Sequence, residues 1–305
     1  MQASDSRLSI LSIGKMTPLN RVVTAALENS DELWWPTLAA LLVSNRAIEL
    51  EKECGLSFGN YSTSSLLGEQ ALALFDFPLD GEQHCVKSIR LEALAPLIEG
   101  HFRKKGLSFY CVADQSGSLF AEMLKEAFEL IGLIPSLRLS VLDLVQSLHV
   151  LVPQDASSDV SFSEPEIPFS IFVSVPKERV THASLRVAEA IIHEAMHLQL
   201  SLVERVVPLV CGDEQRFYSP WKQAIRNTTG ILHGIYVFAV IDSWLERLPA
   251  SLCSDYTNRR RVEIERQLKL NIAFPESAEL TPIGCLLARA IMSRFEAASL
   301  SIRNV

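Results

Sequence analysis

The sequence lacks the features of an exported or disulfide-bonded protein. Its six cysteines are scattered along 305 residues, and no two of them form a CxxC pair. The first 18 residues contain no basic start followed by an apolar core and a small-residue cleavage site. We therefore expect reduced, mostly buried thiols and a cytoplasmic protein.

Long apolar runs and an excess of basic residues are missing as well. The apolar stretch 231–244 is interrupted by His233 and Asp242 and falls short of the ~20 residues that a membrane span needs. Lys and Arg number 28 against 36 Asp and Glu, and the resulting net charge of -8 argues against a nucleic-acid-binding surface. We expect neither a membrane nor a nucleic acid as a partner, and the oligomeric state is left open.

The composition that remains is that of a globular protein, with 48% hydrophobic and 21% charged residues. At ~150 residues per domain, the length indicates one large or two modest domains. We predict a mainly helical N-terminal region over residues 1–140, a candidate for peptide recognition. Residues 141–305 are the predicted metal-binding catalytic domain.

Hydrophobic periodicity predicts an α+β fold that is predominantly helical, a helical bundle with a small β-sheet. Apolar residues recur near the helical period in residues 31–54, 63–75, 88–102, 118–131, 183–206, 228–248, 259–270 and 281–302. Segments rich in β-branched and aromatic residues predict strands over 107–112, 147–152 and 169–175. The stretch 154–168, rich in Ser, Asp, Glu and Pro, predicts a long loop. Thr228 or Thr229 is the predicted N-cap of the helix 228–248.

The most informative stretch is an H-E-x-x-H pattern formed by His193, Glu194 and His197. Residues four apart lie on one face of a helix, about 6 Å apart along its axis, so both imidazoles can converge on one divalent ion. Glu194 is positioned to orient a metal-bound water or to act as a base. The flanking residues are apolar, and metal coordination would satisfy histidines that are costly to bury alone.

A metal held by these two histidines needs a third ligand. The Gly and His that extend the metzincin motif are absent, and the acidic helix expected of a thermolysin-like enzyme is replaced by the turn at Ser219. Glu204 lies on nearly the same helical face two turns on, and we rank it below His233. His233 lies in the first turns of the next apolar helix, which we expect to pack antiparallel to the HExxH helix.

Positive charge near this candidate site predicts an anionic ligand beside the metal. Ser219, Lys222 and Arg226 precede the helix that carries His233. Arg226 is preferred to Lys222 because a guanidinium binds a carboxylate bidentately. The arginine run at residues 259–261 is instead expected to be an exposed helix face.

The ordered combination of HEAMH, then YSPWKQAIR at residues 218–226, then GILHGIYVF at residues 230–238 resembles the HExxH-motif family of peptide-modifying proteins. This family is associated with ribosomally made, post-translationally modified peptides. The resemblance implies an Fe(II)- and 2-oxoglutarate-dependent dioxygenase that hydroxylates the β-carbon of a residue in a precursor peptide, with O2 as co-substrate. His193, His197 and His233 would be iron ligands and Glu194 a neighbour of the metal. Lys222 stands where family members often carry an arginine.

Two alternatives remain open at this point. A zinc metallopeptidase would use Glu194 to activate a zinc-bound water, and a non-catalytic peptide-binding protein would keep the metal site for structure only. For any bound peptide, the predicted strands 107–112 and 147–152 are candidates for pairing with it in an extended conformation.

Overall fold

The computed structural model describes residues 17–29, 32–54, 71–78, 86–94, 96–110, 119–153, 159–164, 167, 169–252 and 255–301. These residues form the predicted α+β, mostly helical fold. The helices are α1 (Pro18–Asn29), α2 (Pro36–Cys54), α3 (Pro96–Lys104), α4 (Leu119–Gly132), α5 (Pro135–Leu144), α6 (Ala183–Val206), α7 (Thr228–Arg247), α8 (Asp255–Lys269) and α9 (Pro282–Ser301). The strands are β1 (Ala71–Pro78), β2 (Val86–Glu92), β3 (Ser147–Leu151), β4 (Ser161–Phe162), β5 (Ser170–Ser174), β6 (Phe217–Ser219) and β7 (Ala224–Arg226).

The larger sheet has the order β1-β2-β3-β5-β4. Its centre is parallel, with Leu148 of β3 opposite Ile171 of β5, and both outer strands are antiparallel to their neighbours. Strands β3 and β5 are buried along their whole length, which agrees with their apolar, β-branched sequences. Both strands were predicted from the sequence, and both are confirmed.

Two predicted helices in the N-terminal half are wrong where the structure describes them. Residues 71–75 of the predicted helix 63–75 belong to β1, and residues 63–70 lie outside the described residues. The predicted helix 88–102 begins as β2 and becomes helical only at α3, which Pro96 starts. Ile89 and Leu91 are buried two positions apart, the strand period, and pairing with β1 and β3 satisfies the backbone there.

One of the two proposed strand-pairing sites for a peptide is also wrong, because strand β3 lies between β2 and β5 and has no free edge. Within the predicted strand 107–112, Phe109 forms a single bridge to Leu151 and Ser108 accepts the N–H of Val152, while residues 111–112 lie outside the described part. These bonds occupy one side of that segment, and peptide pairing there stays a prediction. The loop predicted over 154–168 contains the short edge strand β4.

Helices α6 and α7 carry the predicted metal ligands, and both are confirmed close to their predicted bounds. Helix α6 ends just before Pro208, which cannot continue it. The N-cap of α7 is Asn227 and not a threonine, because the Asn227 side chain accepts the Gly230 N–H at 3.1 Å. Helix α7 is long and apolar enough to cross a membrane, but 78% of its apolar window is buried inside the protein. Such burial is typical of the core helix of a soluble protein.

The apolar core runs across the predicted boundary near residue 140. Trp34 before α2, Leu142 in α5, Ile192 in α6 and Tyr236 in α7 all belong to one buried cluster. Helices α1 and α2 pack directly on α6. The N-terminal helices therefore support the helix that carries the HExxH residues, and the division into two domains stays a prediction.

Candidate metal centre

Helix α6 brings the two histidines of the HExxH pattern together as their spacing predicts. The Nε2 atoms of His193 and His197 lie 3.1 Å apart. Nitrogen ligands of one divalent ion, each about 2.1 Å from it, stand at a similar separation. The two imidazoles thus fit neighbouring ligand positions around one ion.

His233 joins them from α7. Its ring stacks on the ring of His197 with centroids 5.3 Å apart, and the two Nδ1 atoms are separated by 3.1 Å. The three imidazoles form a row with His197 in the middle, because His197 turns one nitrogen to each neighbour. Among the described residues, no three His, Cys, Asp or Glu side chains are already arranged to coordinate one metal ion. For one ion to take all three imidazoles, the ring of His197 or His233 would have to turn.

Glu204 lies behind His233 and does not face the other two histidines. Its Oε2 atom is 2.9 Å from His233 Nε2. A carboxylate in this position holds the proton on Nε2 and leaves Nδ1 free to bind a metal. The sequence places Glu204 on the correct helical face, and the structure assigns it a contact with the third histidine that the sequence did not predict.

Glu194 is buried beside His193 and is held by two serines. Ser161 and Ser163 donate from Oγ to Glu194 Oε1 and Oε2 at 2.7 and 3.0 Å. The Oε1 atom is 3.9 Å from His193 Nε2. Burial raises the pKa of Glu194 to about 7, against the lowering effect of the two hydroxyls and of Lys222. The serines lie in the segment predicted as a loop, so their role was missed.

Burial keeps the imidazoles of α6 in the neutral form that a metal requires. It lowers the pKa of His193 to about 3, with smaller contributions from Lys222 and Arg260. Burial also lowers the pKa of His197 far below its ordinary value, helped by the two neighbouring histidines. Neutral imidazole is a good ligand for iron or zinc, so these residues fit a bound divalent metal.

The Ser-Pro-Trp and Leu-His-Gly segments are linked by one packing contact. The Trp221 ring stacks on Phe238 with centroids 5.0 Å apart, and Phe238 meets the edge of His193. A Cβ atom on Gly234 would lie 2.6 Å from Trp221 Cζ3. Glycine therefore follows His233 because the indole ring occupies the place of a side chain.

Two cavities flank the α6 histidines. The first, of about 280 Å³, is lined by His193, His197, Ser219, Trp221, Lys222, Arg226, Thr229, Gly230, His233, Gly234 and Phe238. The second, of about 270 Å³, contains Glu194 and its two serines. All of the residues predicted to bind a cofactor thus line the first cavity. Within the described part of the chain, the charged ends of Lys222 and Arg226 pair with no carboxylate.

The prediction that residues 259–261 form an exposed face is wrong for two of the three arginines. Arg260 binds Glu189 of α6 at 2.6 Å, and its guanidinium lies over the Phe238 ring. Arg261 pairs with Asp242 and Glu246 of α7. These acidic partners on α6 and α7 draw the arginines inward. Arg260 also lines a third cavity, of about 760 Å³, that reaches His193.

Neither a known family model nor a curated protein matches this chain.

Proposed function

We propose that the protein is an Fe(II)- and 2-oxoglutarate-dependent oxygenase that hydroxylates the β-carbon of a residue in a ribosomally made precursor peptide. One observation carries the proposal: a cavity of about 280 Å³ combines three imidazoles with two cations that have no carboxylate partner among the described residues. A dianionic co-substrate that chelates a metal needs both features.

His193, His197 and His233 would hold the iron, and Glu204 would keep His233 in the tautomer that presents Nδ1. Bound iron and 2-oxoglutarate would together supply the oxidant for inserting oxygen into a C–H bond. With three neutral histidines, negative charge at the metal must come from the co-substrate. That requirement favours an acidic co-substrate in this cavity.

Arg226 would bind the far carboxylate of 2-oxoglutarate. It lines only the cavity shared with His233, whereas Lys222 lines all three cavities around His193. A guanidinium also holds a carboxylate in a fixed plane, which an ammonium group does not. Ser219 accepts the Lys222 backbone N–H at 3.3 Å and so helps to shape the turn that carries Lys222.

Trp221 and Phe238 would exclude water from the reacting groups. Phe238 packs against His193, Trp221 stacks on Phe238, and both rings line the same cavity as the two cations. Glu194, held by Ser161 and Ser163, would fix the environment of His193 on the opposite side. Water exclusion strengthens the electrostatic contacts of an anionic co-substrate.

The peptide substrate and the cytoplasmic location rest on the motif resemblance and on composition. The acidic net charge of -8 favours a peptide over a nucleic acid.

A zinc metallopeptidase is the second candidate, and the raised pKa of Glu194 favours it. A carboxyl group with a pKa of about 7 beside a metal ligand is suited to take a proton from water. Against it, both carboxylate oxygens of Glu194 already accept serine hydroxyls.

Turnover of 2-oxoglutarate separates these candidates. Protein loaded with Fe(II) should convert 2-oxoglutarate to succinate in air at a slow rate without any peptide, and zinc-loaded protein should not. The His193→Ala variant controls for free iron in solution. Succinate formation that is equal in the His193→Ala variant, or absent in the wild type, would contradict the oxygenase proposal.

A further inference from the structure

Strand β4 ends the larger sheet beside the metal centre. The N–H of Ser174 donates to the Val160 carbonyl at 2.8 Å, and Phe162 lies opposite Phe172. In an antiparallel pair, bonded and non-bonded residue pairs alternate, so Ser161 is a non-bonded position. Its own N–H and C=O therefore point away from β5, toward the outer edge of the sheet.

This outer edge adjoins the candidate reaction centre. Ser161 lines both the 760 Å³ cavity and the 270 Å³ cavity, and His193 and Lys222 line both of them too. The Ser161 hydroxyl donates to Glu194, the residue after His193. A chain lying along this edge would therefore pass His193. The opposite edge of the sheet, β1, is separated from β4 by three strands.

We infer that an extended segment of the substrate peptide pairs with the outer edge of residues 159–163 as an added strand. This inference rests on the proposed function, which makes a peptide the substrate. An extended backbone is the occupant that fits, because the outward N–H and C=O of Ser161 are the groups with which an edge strand pairs with another strand.

The residues that line the 760 Å³ cavity determine which peptide side chains fit into it. Asp159 is paired with Arg186 at 2.7 Å, and Glu189 is paired with Arg260. These two pairs match each acidic group with a basic one, whereas Lys222 has no carboxylate partner among the described residues. Alternate residues of an added strand point to the same side. One such residue enters the cavity near His193, and its neighbours point away.

Proline at position 161 tests the inference because the outward N–H is the one backbone hydrogen-bonding group that it removes, besides the side-chain hydroxyl. Ser161→Pro leaves the bonds between β4 and β5 in place, since proline is tolerated on an edge strand whose N–H faces outward. Ser161→Ala is the matched control, because it also loses the hydroxyl bond to Glu194 but keeps the N–H. The probe is a fluorescent peptide selected from a displayed library of random 12-residue peptides. Selection uses the full-length protein with Zn(II) and 2-oxoglutarate present.

We expect Ser161→Pro to weaken peptide binding at least about tenfold in fluorescence polarisation, and Ser161→Ala to change it less than about threefold. N-methylation of the peptide at alternate residues should abolish binding to the wild type, and this second measurement does not depend on how Ser161→Pro folds. Equal binding by wild type and Ser161→Pro, tolerance of every N-methyl group, or failure to select any peptide would overturn the inference.

The peptide-binding test and the succinate test can fail independently of each other. Peptide pairing at this edge without succinate formation would refute the oxygenase proposal and leave the inference of strand pairing standing. If succinate forms and Ser161→Pro does not change the affinity for the peptide, the inference of strand pairing alone is refuted.

Discussion

Helix α6 carries two clusters of buried polar side chains that differ in how completely their hydrogen bonds are satisfied. In the first, Gln199 Nε2 donates to the Trp34 carbonyl at 2.9 Å, and its Oε1 is 3.2 Å from the Tyr236 hydroxyl. That hydroxyl also lies 2.7 Å from the Leu33 carbonyl. In the second, His193 and His197 have imidazole nitrogens as their nearest partners.

The comparison separates a structural cluster from a functional one. The Gln199 cluster ties the segment before α2 to α6 and α7. The Gln199 amide donates to the Trp34 carbonyl, and the one proton of the Tyr236 hydroxyl goes to the Leu33 carbonyl or to Gln199 Oε1, so both donor groups have an acceptor. The histidine cluster groups three imidazoles, the candidate metal ligands, and leaves two nearby cations without carboxylate partners among the described residues. A fold keeps such an arrangement at a cost in stability, which ligand binding offsets.

Replacing His197 should have the largest effect on metal binding. His197→Ala removes the middle imidazole of the row, so binding of one Co(II) or Zn(II) per chain should be lost in calorimetric titration. The free energy of unfolding of the metal-free protein should change little, because a desolvated imidazole is removed together with its packing.

Gln199→Ala is the matched control two residues along the same helix. It leaves the Trp34 carbonyl with fewer donors and opens a small cavity, so it should cost about 1–3 kcal/mol in urea unfolding. Its metal affinity should stay within about threefold of wild type. Loss of metal binding in Gln199→Ala, or its retention in His197→Ala, would break the comparison.

Acid should destabilise the metal-free protein through the histidine cluster. The pKa values of His193 and His197 are lowered in the folded state, so the unfolded chain binds more protons below about pH 6.5. Their stabilising contribution is complete above that pH and is lost as the pH falls. From pH 7 to pH 5 the loss should be about 2 kcal/mol for each histidine that stays neutral.

Urea unfolding at several pH values measures this slope. A variant with alanine at both His193 and His197 should give a shallower dependence on pH than the wild type. Equal slopes would mean that these two histidines are not held neutral by the fold.

A side chain at Gly234 should disturb the contact between Trp221 and α7. The added methyl group of Gly234→Ala meets Trp221 Cζ3, so the indole must leave Phe238, at a cost of about 1–3 kcal/mol. Near-ultraviolet circular dichroism should report the displaced tryptophan. Gly100→Ala in α3 is the control, because its Cβ meets nothing within 4 Å and alanine favours a helix by roughly 0.5–1 kcal/mol. Unchanged stability and spectrum in Gly234→Ala would contradict the packing account.

Removing Glu204 should weaken metal binding without abolishing it. Glu204→Ala frees the tautomer of His233, and we expect a 10–100-fold loss of metal affinity, the usual size for such a partner. Glu204→Gln can still accept the His233 N–H and should lose less. If both variants bind Zn(II) as the wild type does, Glu204 does not position His233.

The sequence predicted best what depends on neighbours along the chain. Helix α6 has its predicted bounds, and His193 and His197 meet because they are one turn apart. His233 was chosen from its helix and its apolar surroundings, and the structure brings it to His197. In contrast, Ser161 and Ser163 reach Glu194 from a strand about 30 residues away, and no local pattern announces that contact.

Long-range pairing also explains the misassigned elements. The apolar residues of β2 would also suit a short helix. This segment forms a strand because it pairs with β1 and β3. Arg260 lies in a basic run typical of an exposed face, and the acid that draws it inward, Glu189, is 71 residues away. No local pattern indicates that Gly234 accommodates Trp221, although both residues lie in the quoted motifs at residues 218–226 and 230–238.

Anaerobic titration of the Fe(II)-loaded protein with 2-oxoglutarate tests the central claim most directly. The account predicts a saturable visible charge-transfer band from a chelated co-substrate, lost in His233→Ala and weakened in Arg226→Ala. The absence of a band, with zinc tightly retained during purification, would contradict the account and favour a hydrolase.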